Sequence, residues 1–253
     1  MTPALTAPGD TVEESAQRSG EGGWGAARAG LVRPWEVHRL TGPASLLHGL
    51  SVPRRPRRLL RWCHAASPAL VLGAGEPLAH VDRAAAEAAR LPVVRRRSGG
   101  ASVLVGPGRV VWLDVVVPAG DPLWDDDVGV APLWLGRVWA RALGALGVTG
   151  AVVHEGRMER APWSDQVCFA GTAPGEVRVP AGKVVGISQR RTRAGALFQC
   201  GALLRWDAGE AVGALCTDRA AAAGALAHAA VGIEDLIGRV ARGVLEREVE
   251  ARV

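Results

Sequence analysis

Lysine is almost missing from this sequence: of its 30 basic residues, 29 are arginine and one, Lys183, is lysine. Arginine is a planar fork that stays charged, whereas lysine is a compact point charge whose pKa moves on burial. A chain so committed to arginine that keeps one lysine points to a site requiring an ammonium, suited to gripping a phosphate or a developing oxyanion. Cysteine pairs are missing too. Cys63, Cys168, Cys200 and Cys216 form no CxxC pair and no metal-ligand spacing, which excludes a zinc ribbon and fits free thiols in a reducing cytosol. No apolar run approaches the length of a membrane span; the longest, over residues 110–117, is interrupted by Asp114. The N-terminal stretch lacks the hydrophobic segment of a secretory signal. The net charge of +5 would admit an acidic partner, but the arginines are scattered apart from RRPRRLLR at 54–61, and no nucleic-acid module surrounds that run. A soluble, cytoplasmic protein with neither a membrane nor a nucleic-acid partner is the expectation.

What is present describes a globular chain. Hydrophobic residues make up 48% and charged residues 22%, and 253 residues suffice for a substantial core. Residues 1–33 are rich in small and polar types and read as a disordered tail; residues 34–253 read as one domain. The pattern predicts a short helix over 43–50, two strands within 59–73 closed by Gly73 and Gly75, and a helix over 79–91. Two β-branched stretches, 102–105 and 109–117, flank Gly106-Pro107-Gly108 and predict a hairpin. Leu135, Val138, Trp139, Ala142, Leu143 and Leu146 recur at helical spacing. Asp125, Asp126 and Asp127 precede them and read as helix-capping acids rather than a metal cluster, since no histidine or further carboxylate accompanies them. Strands follow near 151–154, 176–179, 183–188 and 200–206, then helices near 209–228 and 232–251, the second charged and solvent-facing. There is no internal repeat. Strands and helices mixed without regular alternation argue for an α+β domain with a largely antiparallel sheet.

Two stretches carry chemistry. Arg95-Arg96-Arg97-Ser98-Gly99-Gly100 sets paired arginines beside glycines that let a backbone approach an anion closely. Further on, AGKVVGISQRR places Lys183 in an apolar strand opening from a glycine turn, an unusual setting for a solvated lysine. On the same strand lie Gly182, Gly186, Ser188 and Gln189. His154 and Asp165 lie near this region in sequence and could move protons, although a structural loop role is the commoner fate of such residues. Trp112, Trp134 and Trp139 fit core spacing.

Together, RRRSGG at 95–100, LRWCHAASPALVLG at 60–73, and GKVVGISQRR with GALFQCGALL from 182 to 204 resemble the lipoate–protein ligase and octanoyltransferase family, related to the biotin ligases. The resemblance spans roughly residues 34–250. It implies a biotin/lipoate protein ligase-like fold, a mostly antiparallel mixed sheet flanked by helices, without the accessory C-terminal domain of some ligases. It also implies transfer of an octanoyl or lipoyl group to a lysine of a lipoyl domain, as in the 2-oxoacid dehydrogenase E2 subunits or the glycine cleavage H protein. Under it, Lys183 holds the acyl oxygen, and Arg95, Arg96, Ser98, Gly99, Gly100, Gly182, Gly186, Ser188 and Gln189 bind the activated acyl group. The family's ligases make an acyl-adenylate from ATP and magnesium, with an Asn-Asp-Leu tripeptide before the lysine. Here Gly175-Glu176-Val177 stands there instead. One kind of octanoyltransferase carries Cys-Phe, then glutamate, then lysine, and Cys168-Phe169, Glu176 and Lys183 follow that order.

The reading is therefore a transferase in which Cys168 takes the acyl group from acyl carrier protein as a thioester, with no tightly bound cofactor and no metal. ATP-dependent ligation through lipoyl-AMP is the first alternative. The second is a non-catalytic paralogue binding acyl groups or carrier domains. It arises because Val105 and Cys200 stand where the family has histidines, and because the glycine loop reads GGAS.

Overall fold

The computed structural model describes residues 13–18 and 34–253. In chain order the elements are β1 (Glu13–Arg18), β2 (Glu36–Gly42), α1 (Ala44–Gly49), β3 (Leu59–Ala65), β4 (Ala69–Leu72), α2 (Arg83–Ala88), β5 (Val93–Arg95), β6 (Val103–Val105) and β7 (Val110–Pro118). Then come α3 (Leu133–Ala145), β8 (Val152–Val153), β9 (Val177–Val179), β10 (Gly182–Arg191), β11 (Gly195–Leu203), α4 (Ala208–Val212), α5 (Arg219–Leu226), α6 (Ile233–Ile237) and α7 (Arg242–Glu250). An eight-stranded sheet runs β1-β2-β3-β7-β11-β10-β9-β8, and a three-stranded sheet runs β5-β4-β6. Every pairing is antiparallel except β2 with β3 and β4 with β5. This is the expected α+β class with a mostly antiparallel mixed sheet.

Strand periodicity divides the large sheet into two faces. Val111, Leu113, Val115 and Val117 of β7, with Phe198, Cys200 and Ala202 of β11, pack against Leu135, Val138, Trp139, Ala142 and Leu143 of α3 and Leu245 and Val249 of α7. Leu135 and Leu143 are fully buried, worth about 1.5–3 kcal/mol each against exposure. The opposite face, bearing Trp112, Asp114, Gln199 and Gly201, looks toward α1 and the small sheet. It carries the site.

Several elements differ from the sequence reading. The segment 102–118 is no hairpin: β6 pairs with β4 and β7 with β3 and β11, so Gly106-Pro107-Gly108 carries the chain from one sheet to the other. Gly106, at φ +153, has no room for a side chain, because a Cβ would lie 2.9 Å from Pro68 Cα. The helix over 79–91 shortens to α2, capped by Asp82, whose side chain accepts from Ala85 N. Asp125, Asp126 and Asp127 do not cap α3, which begins after Pro132. They fold the preceding loop, accepting from Asp127 N, Trp124 Nε1 and Gly129 N respectively. The helical stretches near 209–228 and 232–251 each break in two: Asp218 caps α5 afresh, and Gly238, at φ +76, ends α6. α7 is not simply solvent-facing. It buries Glu246 and docks on β2 and β3 through Arg39–Glu246 (3.1 Å), His64–Glu246 (2.8 Å) and Trp62 Nε1–Glu250 (2.6 Å). Of residues 1–33, read as a disordered tail, Glu13–Arg18 forms an edge strand along β2. Main-chain pairing at a sheet edge does not depend on apolar side chains. The rest of that tail lies outside the described residues.

Candidate active site

Lys183 reaches the site face through a β-bulge. The register of β10 against β9 shifts between Lys183 and Val185, so Val184 and Val185 both enter the helix-side core while Lys183 turns to the other side. A Cβ on Gly186 would lie 3.5 Å from Lys183 Cε. Gly182 precedes the bulge at φ +140, where a Cβ would lie 2.8 Å from Ala230 Cα. Lys183 is 1% exposed. Its ammonium has three donors, and each has a partner: Glu176 Oε2 at 2.6 Å, Cys168 O at 2.9 Å and Gly171 O at 3.0 Å. The Phe169 ring lies 5.0 Å away, within cation–π reach. Glu176 is equally engaged, accepting from Ala173 N and Ile187 N as well. The lysine thus fixes the 168–171 turn from below, and Lys183, Cys168 and Glu176 are brought together as the sequence order suggested.

The arginine–glycine loop is held by its own side chains. Arg95 Nη1 donates to the carbonyls of Gly73, Ala74 and Glu76. Arg96, buried, donates to those of Val71, Gly99 and Ala101. Gly100 packs so tightly on Gly73 that a Cβ at 73 would stand 1.6 Å from Gly100 O. Arg95 therefore braces the 73–76 turn, while Arg96 and Ser98 face inward and Gly99 remains exposed.

An apolar cleft of about 50 Å³ opens between these parts, lined among others by Arg96, Val103, Val105, Cys168, Phe169, His48 and Trp112, with Ser188 and Gln199 side by side on the sheet. Its floor is two glycines facing each other across the ladder, Gly186 and Gly201. Val103 and Phe169 also wall a second, open cleft of about 610 Å³ carrying Arg109–Glu210, Arg205–Glu234 and Arg239. Cys168 lines the first cleft and is half-buried.

Of what runs beside the cleft, the sequence signalled only Ser98 and Ser188. Ser188, Gln199, Asp114 and Arg61 occupy one row across β10, β11, β7 and β3. Ser188 Oγ donates to Ser98 Oγ (2.9 Å) and Ser98 Oγ to Gln199 Oε1 (2.7 Å). Gln199 Nε2 donates to Asp114 Oδ1 (3.0 Å) and, at 3.4 Å, meets His48 Nδ1. Trp112 Nε1 donates to Asp114 Oδ1 (2.7 Å), and its ring stacks on His48 at 4.0 Å. Burial raises the Asp114 carboxyl to about 6, against the opposing pull of Trp112, Arg61 and Gln199. Burial and then the Arg96 charge lower His48 to about 3, so it is neutral. Burial also raises the thiols of Cys63 and Cys200. The available signal was Arg61, Asp114 and Gln199, each a polar residue interrupting an apolar strand. Trp112, expected in the core, is buried with Leu40, Leu47 and Cys63 and also walls the cleft.

Of the expected acyl-binding residues, Arg96, Gly186 and Ser188 line the cleft, whereas Arg95, Ser98, Gly99, Gly100 and Gly182 do not. Gln189, His154 and Asp165 stand elsewhere. Gln189, adjacent to Ser188, points to the other face of β10 and donates to Val128 O, since neighbouring strand residues alternate. His154 bonds Arg157 O within its own loop, and Asp165 is exposed. Neither lines either of these two clefts. Among the described residues, no group of three or more His, Cys, Asp or Glu could hold a metal ion, and no helix is long and apolar enough to cross a membrane.

Residues 44–239 match the family model of the lipoyl protein ligase A/B catalytic domain. No curated protein sequence matches the chain. Among solved structures, it resembles the bipartite lipoate protein ligase of Thermoplasma acidophilum, determined with its E2 lipoyl domain (TM-score 0.61, 15% identity, covering 81% of this chain and 72% of that one). It also resembles protein Ta0514 of T. acidophilum with bound lipoic acid (0.59, 15%, 76% and 69%) and lipoate-protein ligase A bound with ATP (0.59, 14%, 81% and 74%). At these identities the structures speak for the fold, and the family rests on the matched domain. The chain belongs to the lipoyl protein ligase A/B catalytic domain family.

Proposed function

We propose that this protein is an acyltransferase that moves an octanoyl- or lipoyl-type group onto the acceptor lysine of a lipoyl domain through a thioester on Cys168. The observation that carries this reading is that Cys168 lines the apolar cleft while Lys183 holds its backbone carbonyl in place. The Cys168 sulfur attacks the carbonyl carbon of an acyl carrier protein thioester. The new carbon–sulfur bond forms, the old one breaks, and the thiol proton leaves with the carrier's thiolate. The acceptor lysine amine then attacks the thioester carbon; the amide bond forms, the carbon–sulfur bond to Cys168 breaks, and a proton of the amine returns to the sulfur. Adenylate chemistry is less well supplied. The Lys183 ammonium and the Arg95 and Arg96 guanidinium groups already donate to protein oxygens, so of the loop's two exposed arginines, Arg95 and Arg97, the first is already engaged. The open cleft meeting the first at Val103 and Phe169 gives the acceptor lysine an approach. That the T. acidophilum relative was determined with a lipoyl domain supports the choice of acceptor.

The test supplies octanoyl-acyl carrier protein and an apo lipoyl domain without ATP and follows the mass of the lipoyl domain. Acylation without ATP supports the thioester route. Acylation only from free lipoate with ATP and magnesium would replace it with the ligase, and no acylation under either supply would leave a binding protein.

A further inference from the structure

The hydrogen bonds beside the cleft have a fixed direction. Trp112 Nε1 is donor only, and the Asp114 carboxylate accepts. Asp114 Oδ1 therefore requires the nitrogen end of the Gln199 amide. That orientation turns Gln199 Oε1 toward Ser98 and leaves Nε2 facing His48 Nδ1. Nδ1 is then the acceptor of a neutral imidazole, and the ring proton sits on Nε2. His48 is 6% exposed, lines the cleft, and its Nε2 has no partner in the protein. A buried donor left unpaired is costly, so a site holding one discriminates against ligands that cannot accept from it.

We propose that His48 sets acyl specificity: the cleft selects acyl groups carrying a hydrogen-bond acceptor along the chain over plain saturated ones. The proposal rests on the acyl-cleft reading above and narrows it. A saturated octanoyl chain offers no acceptor, and lipoyl sulfur only a weak one; a ketone oxygen is a full one. The stacking of His48 on Trp112 and the row from Ser188 to Asp114 hold the donor in place.

Titration calorimetry of the full chain with octanoate, 5-oxooctanoate and 7-oxooctanoate tests it. At least one oxo acid should bind about fivefold more tightly than octanoate, the size of one net hydrogen bond. His48→Leu should bring that ratio to one, whatever happens to octanoate affinity itself. Equal or weaker binding of both oxo acids by the wild-type protein overturns the specificity claim and leaves the acyl cleft standing. Binding of none of the three acids overturns both. A preference that persists in His48→Leu also overturns the claim. Should that variant fail to fold, as judged by circular dichroism, the wild-type ratio alone decides.

Discussion

Lys183 Nζ sits 2.6 Å from Glu176 Oε2 with both side chains buried, and the same ammonium holds the carbonyls of Cys168 and Gly171. A buried pair is weak evidence for stability against an apolar replacement, but removing one partner leaves an uncompensated charge, at about 3–5 kcal/mol. Lys183→Met and Glu176→Leu should each lose stability on that scale in urea unfolding. The double variant should lose less than the sum, with a coupling of about 1–3 kcal/mol. Strict additivity would mean the pair is not energetically joined.

The four thiols should divide by burial. Cys63 and Cys200 are buried and their thiols shifted upward, whereas Cys216 is exposed and Cys168 half-buried on the cleft. Thiolate is the reacting form. A disulfide reagent should modify Cys216 and Cys168 in the native protein and Cys63 and Cys200 only after denaturation. In Cys216→Ala, octanoate should slow the remaining fast reaction.

The buried row gives opposing pH dependences. Asp114 holds its proton more tightly folded than unfolded. Its contribution to stability is full below 3.8 and is lost as pH rises through about 6. That amounts to about 3 kcal/mol over the window. Asp114→Asn should therefore gain on the wild type in thermal unfolding as pH rises from 4 to 6. His48 holds its proton less tightly when folded, so its contribution is full above 6.5 and is lost as pH falls toward about 3. His48→Gln should gain on the wild type as pH falls from 6.5 to 4. Parallel curves in either comparison would place those shifts elsewhere.

Gly73 and Gly75 bound the same turn but meet different surroundings. A Cβ at 73 collides with Gly100 O at 1.6 Å, while one at 75 meets nothing within 4 Å. Gly73→Ala must displace the arginine–glycine loop and should cost more than about 2 kcal/mol; Gly75→Ala should stay within about 0.5 kcal/mol. The difference is read from urea midpoints at constant slope.

The class of fold and the lysine strand were legible because they are local: an apolar run, a glycine turn, a lone lysine. The β6–β7 connection was not, since β-branched stretches around Gly-Pro-Gly look alike whether the strands pair together or diverge into two sheets. The polar row escaped for a related reason. Arg61, Asp114, Gln199 and Ser188 are scattered through the chain and meet only through strand register. His48 arrives from α1, on no strand of the row, and no sequence spacing connects it to Gln199. The arginines were legible as a loop, but their carbonyl partners at 71 and 73–76 depend on how β4 and β5 pair.

Whether Cys168 carries the acyl group is read out by intact mass spectrometry of the protein after mixing with octanoyl-acyl carrier protein, without ATP. The thioester route requires an octanoyl adduct that hydroxylamine removes and that Cys168→Ala abolishes. Lys183 bonds the backbone carbonyl at 168, so that contact does not depend on the thiol being replaced. No adduct on the folded wild-type protein, or an adduct that survives in Cys168→Ala, would contradict it.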